Sequence, residues 1–147
     1  MGAGALLCAT GGEAAARPPG FHLEVAQVRL LPENGPARTF APRANLHFSY
    51  CSANGVTAVA FEFRWSGATA VQTYGVILRP PKANGRPFVA AYSFFAPSGS
   101  NVVTFDASRV PPVNAHTTIL PGRFTFTITS RGVEVTSAIL ITQASTC

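Results

Sequence analysis

The feature that most constrains this chain is a period of two. Leu46, Phe48 and Tyr50 alternate with Asn45, His47 and Ser49. Val59, Phe61, Phe63 and Trp65 alternate with Ala60, Glu62 and Arg64, and Phe124, Phe126 and Ile128 with Thr125, Thr127 and Thr129. Val133, Val135, Ile139 and Ile141 continue the pattern in part. Alternation of this kind makes strands with one buried and one wet face. The residues themselves, Val, Ile, Thr, Phe and Tyr, suit a pleated, half-buried surface. No stretch after residue 20 keeps an amphipathic 3.6 period, so little helix is expected.

Strands are expected over 21–31, 44–51, 57–66, 70–79, 87–95, 101–106, 122–130 and 133–143. The punctuation between them agrees. Asn54-Gly55 and Asn84-Gly85 supply the positive φ angles of tight hairpin turns. Arg131-Gly132 fits a type I turn with a glycine bulge, while Pro97–Ser100 and Pro111–Ala115 read as loops. Seven to eight strands at this spacing predict an all-β fold, a two-sheet antiparallel β-sandwich. A jelly roll, with the same strands connected differently, is the alternative.

Length and composition fit one domain. At 147 residues, 47% hydrophobic, the chain can bury a sizeable core. Only 12% of residues are charged, against about 25% in an average globular protein, which argues against disorder. The formal charge is +5, but the cations are spread along the chain without a polybasic run. Nucleic-acid binding, which wants basic residues gathered in a stripe, is therefore not expected.

Residues 1–16 differ from the rest. An apolar run from Ala3 to Ala9 is followed by Ala14-Ala15-Ala16 and then Arg17-Pro18-Pro19-Gly20. This reads as a signal segment, short and without a basic start, followed by a linker over 17–20 and one domain over 21–147. Cleavage there predicts a secreted, periplasmic or envelope protein. Lipid anchoring at Cys8, in Ala5-Leu6-Leu7-Cys8, is the rival reading, although Leu7 departs from a lipobox. No run of about 18 apolar residues offers a transmembrane helix. Removal of the segment takes Cys8 away and leaves Cys51 and Cys147 as an even pair. In an oxidising compartment a bridge between them would restrict the unfolded chain by roughly 4 kcal/mol.

Leu120-Pro121-Gly122-Arg123-Phe124-Thr125-Phe126-Thr127-Ile128, followed by Gly132-Val133-Glu134-Val135, resembles the last two strands of bacterial immunoglobulin-like and fibronectin III-like modules. Phe61-Glu62-Phe63-Arg64-Trp65 resembles a third strand of that family carrying a core Trp. The resemblance implies an immunoglobulin-like sandwich and, by itself, no activity.

Groups for catalysis are sparse. His22, His47 and His116 are far apart in sequence, and no metal-ligand or phosphate-loop motif occurs. The mature chain's acids, Glu24, Glu33, Glu62, Asp106 and Glu134, would have to be gathered from distant strands to make a hydrolase. Ser98-Gly99-Ser100 is not a Gly-x-Ser-x-Gly motif. No residue is assigned a catalytic, cofactor or metal role, and an enzyme is not expected. Aromatic residues offer more. Phe88-Val89-Ala90-Ala91-Tyr92-Ser93-Phe94-Phe95 carries apolar side chains on both faces of one strand. Such a strand is either buried on both sides or docks a partner, which makes Phe88, Tyr92, Phe94 and Phe95 the candidate interaction residues. Trp65 with Tyr74 is the candidate platform for a sugar. The expected function is protein–protein contact or self-assembly, with a carbohydrate-binding module and a dispersed hydrolase site as alternatives.

Overall fold

A computed structural model describes residues 20–42, 46–51, 55–106 and 118–144. The leader over 1–16, Asn54, the 111–115 stretch, His116 and Cys147 lie outside the described residues. Nine strands form among them: β1 (His22–Pro32), β2 (Arg38–Phe40), β3 (Leu46–Tyr50), β4 (Val56–Ser66), β5 (Gln72–Arg79), β6 (Phe88–Phe94), β7 (Ser98–Asp106), β8 (Gly122–Ser130) and β9 (Val133–Gln143). A 3-10 turn spans Lys82–Asn84. The strands make two sheets, ordered β2-β1-β4-β7 and β3-β9-β8-β5-β6. The chain is an all-β two-sheet sandwich.

Alternation decides which side chains meet between the sheets. Val59, Phe61, Phe63 and Trp65 of β4 face Tyr74, Val76 and Leu78 of β5 and Phe124, Phe126 and Ile128 of β8, all buried. Phe61 stacks on Phe126 with ring centroids 5.1 Å apart, and Phe63 lies 5.7 Å from Tyr74. In β1 the buried set changes phase, from Leu23 and Val25 to Val28 and Leu30. A bulge between Val25 and Gln27 absorbs the extra residue, so both pairs stay inside.

Four details differ from the sequence expectations. β2 is an additional strand, too short at three residues to show alternation, paired to β1 through Leu30↔Arg38 and Val28↔Phe40. β3 runs parallel to β9, Leu46↔Ile139 to Tyr50↔Gln143, so the sandwich is mostly rather than wholly antiparallel. β3 and β4 sit in different sheets, so they are not the two arms of a hairpin. Ser98-Gly99-Ser100, expected in a loop, opens β7 and pairs with Ser66, Trp65 and Arg64.

Two turns also resolve differently. At Arg131-Gly132 both residues have positive φ, 51° and 72°, and Ser130 pairs directly with Val133. That is the two-residue hairpin geometry matching the strands' own twist, with no bulge. Between β5 and β6, Asn84-Gly85 is not a two-residue hairpin turn: the Asn84 N–H donates to the Pro81 carbonyl at 2.8 Å within the 3-10 turn, and of the two residues only Gly85 has a positive φ, 107°. Asn84 is buried, and its amide bridges to the segment before β8, donating from Nδ2 to the Leu120 carbonyl and accepting from the Leu120 N–H, each at 2.7 Å.

Candidate functional site

β6 is an edge. Among the described residues its one strand neighbour is β5, from Gln72↔Phe94 to Leu78↔Phe88. The opposite sheet ends on the same flank with β7, because the 95–97 link between the two strands is short. The far flank is closed by short strands, β2 and β3, whose Phe40 and Phe48 rings meet edge to face at 5.9 Å.

The side chains of β6 divide by parity. Val89, Ala91 and Ser93 face outward and are exposed, Val89 at 68%. Phe88, Ala90, Tyr92 and Phe94 face the core and are half-buried, packed against it without being enclosed. Phe94 stacks on Trp65 at 5.2 Å with planes only 10° apart, and Tyr92 stacks beside Phe94 at 6.1 Å. These rings therefore close the flank of the core and leave their outer edges uncovered. Phe95, the first residue past the strand, is 64% exposed. The strand is thus neither buried on both faces nor wholly exposed. It is a wall with a greasy rim.

Native edges are usually blunted by Lys, Pro, bulges or brevity. β6 has none of these over its seven residues, and its register with β5 is unbroken. The cations nearest to it, Lys82 and Arg86, precede the strand. Chemically, such an edge offers main-chain donors and acceptors in one row, with aromatic side faces above them.

The lower end of this flank is fixed. Trp65 Nε1 donates to the Ala96 carbonyl at 3.1 Å, and the Ala68 N–H donates to the Pro97 carbonyl at 3.0 Å. Trp65 and Tyr74, the pair considered for a sugar platform, are 5% and 0% exposed and 5.0 Å apart inside the core. They present no face to a ligand. Burial also raises the Tyr74 phenol above its ordinary pKa.

The acids are dispersed. Glu24 and Glu62 lie on the outer face of the four-stranded sheet, where Arg64 Nε donates to Glu62 Oε1 at 2.8 Å. Glu134 lies on the outer face of the other sheet. His22 Nε2 stands 3.4 Å from Glu24, and His47 Nε2 shares a 2.7 Å hydrogen bond with Thr142 Oγ1. Among the described residues no three His, Cys, Asp or Glu are grouped to hold a metal ion, and no helix is long and apolar enough to cross a membrane.

A second feature, not foreseen in the sequence, is a cleft of about 380 Å³ on the far flank, lined by Pro32, Pro36, Arg38, Phe48, Tyr50 and Cys51 among others. The Arg38 guanidinium lies over Phe48 at 5.2 Å and Phe40 at 5.9 Å. Desolvation raises the Tyr50 phenol there. Cys51 sits half-buried just past β3.

No family model matches the chain, and no curated protein matches it. Among solved structures, wild-type OgpA from Akkermansia muciniphila aligns with 80% of this chain and 26% of its own, at 11% identity and a TM-score of 0.38. The Pseudomonas fluorescens alkylpurine DNA glycosylase AlkC, bound to DNA containing an abasic site analog, aligns with 82% of this chain and 30% of its own, at 14% identity and a TM-score of 0.39. This chain thus spans less than a third of either protein, and likenesses this distant carry no functional argument.

Proposed function

We propose that this chain is an exported, non-enzymatic sandwich of the immunoglobulin-like or fibronectin III-like kind that binds protein by adding a strand to the edge of β6. The observation that carries the reading is the unblunted edge itself, seven uncharged residues with half-covered rings on one side. Strand addition draws affinity from main-chain hydrogen bonds and specificity from the alternate side chains. At β6 those alternate side chains are Ala90, Tyr92 and Phe94, so the partner strand would be apolar on its matching face.

Strand order supports the family reading. Against the lettering of immunoglobulin-like domains, β1, β4 and β7 occupy places A, B and E, and β5, β6, β8 and β9 occupy C, C′, F and G. Export is supported by the small-residue segment 14–16 before Arg17-Pro18-Pro19. A Cys51–Cys147 bridge is supported by the parallel pairing of β3 with β9. The Ala144 N–H donates to the Tyr50 carbonyl at 2.8 Å, which keeps Ala144 next to Cys51.

The test uses the strand that pairs with β6 along its other edge. A labelled peptide with the β5 sequence, residues 72–79, is titrated against the mature protein by fluorescence anisotropy. Saturable binding, weakened by about tenfold or more in the Val89→Lys/Ala91→Lys variant, is the expected result. Binding that this variant leaves unchanged would place the contact elsewhere and overturn the reading.

A further inference from the structure

We propose that the far-flank cleft binds a small monocarboxylate with an apolar body, the carboxylate gripped by Arg38 and the body lying among Pro32, Pro36, Phe48 and Tyr50. This site is separate from the edge of β6 and does not rest on the reading of that edge.

Parity puts the cation there. Arg38 and Phe40 are two residues apart on β2, so their side chains share a face, and Phe40 packs against the core. The guanidinium therefore leans to the gap between the sheets, and it reaches β3 of the opposite sheet, 5.2 Å from the centre of the Phe48 ring. Phe40 adds a second ring at 5.9 Å. A guanidinium held over aromatic rings still has its N–H fork, which matches a carboxylate with two parallel hydrogen bonds. That fork has no acid to meet. Arg38 makes no ion pair among the described residues, whereas Arg64 of the same sheet is bonded to Glu62.

The lining selects the anion. Among the described residues that line the cleft, Arg38 is the one cation, and none is Asp or Glu. Phe48 is buried and the Tyr50 phenol is desolvated, so water is scarce beside the guanidinium. In such a setting one positive charge offsets one negative charge, and the second charge of a phosphate dianion would be left without a partner. Proline and aromatic walls favour an apolar body. The volume of about 380 Å³ falls near the low end of the roughly 300–1,000 Å³ of small-molecule sites, so the ligand is small.

Both walls are tied in place. The Glu33 N–H donates to the Gly55 carbonyl at 2.7 Å, which holds the turn between Pro32 and Pro36. The Ala144 N–H holds the end of β3 through the Tyr50 carbonyl at 2.8 Å. A site already formed loses little affinity to its own ordering.

The probe is 3-phenylpropanoate, titrated into the mature protein and followed by residue-resolved NMR shifts. Saturable shifts are expected at Arg38, Phe48 and Tyr50. 3-Phenylpropanamide, of the same shape without the charge, should bind about tenfold or more weaker, and Arg38→Gln should weaken the acid by a similar factor. Arg38→Lys keeps the charge without the fork and should fall between Arg38→Gln and the unaltered protein. N-acetyl-Gly-Phe presents the same chemistry at the end of a peptide, and the tighter of the two acids identifies the source. An amide that binds as tightly as the acid would overturn the proposal, and so would unchanged binding in Arg38→Gln. A lack of saturation up to about 10 mM acid, ten times the ~1 mM Kd of a weak site, would overturn it as well.

Discussion

Gly99 lies directly against the indole of Trp65. A Cβ at position 99 would sit 2.5 Å from Cζ2 and 2.9 Å from Cη2. The ring has no room to retreat, since Nε1 is bonded to the Ala96 carbonyl and Phe94 stacks on it. This contact ties the start of β7 to the inner face of β6, and so shapes the flank on which the proposed edge lies.

Gly99→Ala is therefore expected to destabilise the fold by about 1–3 kcal/mol through overpacking. Chemical denaturation followed by Trp fluorescence measures it cleanly, because Trp65 is the chain's single tryptophan. A midpoint equal to wild type would mean that β7 slides away from the indole at no cost.

Asn84 acts as a piece of strand. Its amide takes the place of a backbone partner for both polar groups of Leu120. Asn84→Ala should cost about 2–4 kcal/mol, since a part-buried carbonyl and N–H lose their partners together. Asn84→Asp keeps the acceptor but sets a carboxylate against the Leu120 carbonyl, and should not recover the loss. An alanine variant within about 0.5 kcal/mol of wild type would show that water replaces the amide fully.

The Tyr74 hydroxyl is buried with no hydrogen-bond partner among the described residues. Tyr74→Phe should consequently be neutral or stabilising by up to about 1 kcal/mol at pH 7. The ring contacts with Trp65, Phe63 and Phe94 are kept in this variant. Destabilisation beyond about 1.5 kcal/mol would reveal a bound partner for the hydroxyl, such as an internal water.

The same burial gives a pH dependence. Desolvation raises the Tyr74 and Tyr50 phenols above the ordinary 10.0. The neutral phenol is the form the fold prefers, so this contribution is complete below pH 10 and is lost as pH rises through the higher folded values. Unfolding midpoints should be flat in this respect up to about pH 10 and then fall, with a smaller fall in Tyr74→Phe. Equal slopes for the two proteins above pH 10 would remove Tyr74 from the account.

Intact mass tests the proposed maturation. The exported product should begin at Arg17 and be two hydrogens lighter than its reduced form, from one Cys51–Cys147 bridge. A mass that retains residues 1–16, or that does not change on reduction, would contradict it.

The fold was legible because its core follows one rule. Phe61, Phe63 and Trp65 on β4, and Phe124, Phe126 and Ile128 on β8, alternate without interruption, and their burial follows from period alone. What period cannot carry is pairing. Whether β3 meets β4 or β9 depends on contacts nearly a hundred residues apart, and Asn54-Gly55 looks locally like any hairpin. The Arg131-Gly132 turn departs from the expected glycine bulge because positive φ at an Arg is imposed by the strands around it. The candidate edge was half legible. Apolar residues at every position from 88 to 92 marked β6 as unusual, but edge and centre differ only in what lies beside them. The far-flank cleft left no signal, since Arg38 and Phe48 belong to strands in different sheets.

The measurement that bears most directly on the edge of β6 is residue-resolved amide hydrogen exchange, on the protein alone and again with the β5 peptide. The account predicts that β6 amides facing away from β5 exchange fast in the protein alone and slow markedly with the peptide, with little change in β1, β4 or β8. Protection that arises elsewhere while β6 stays unchanged would contradict it.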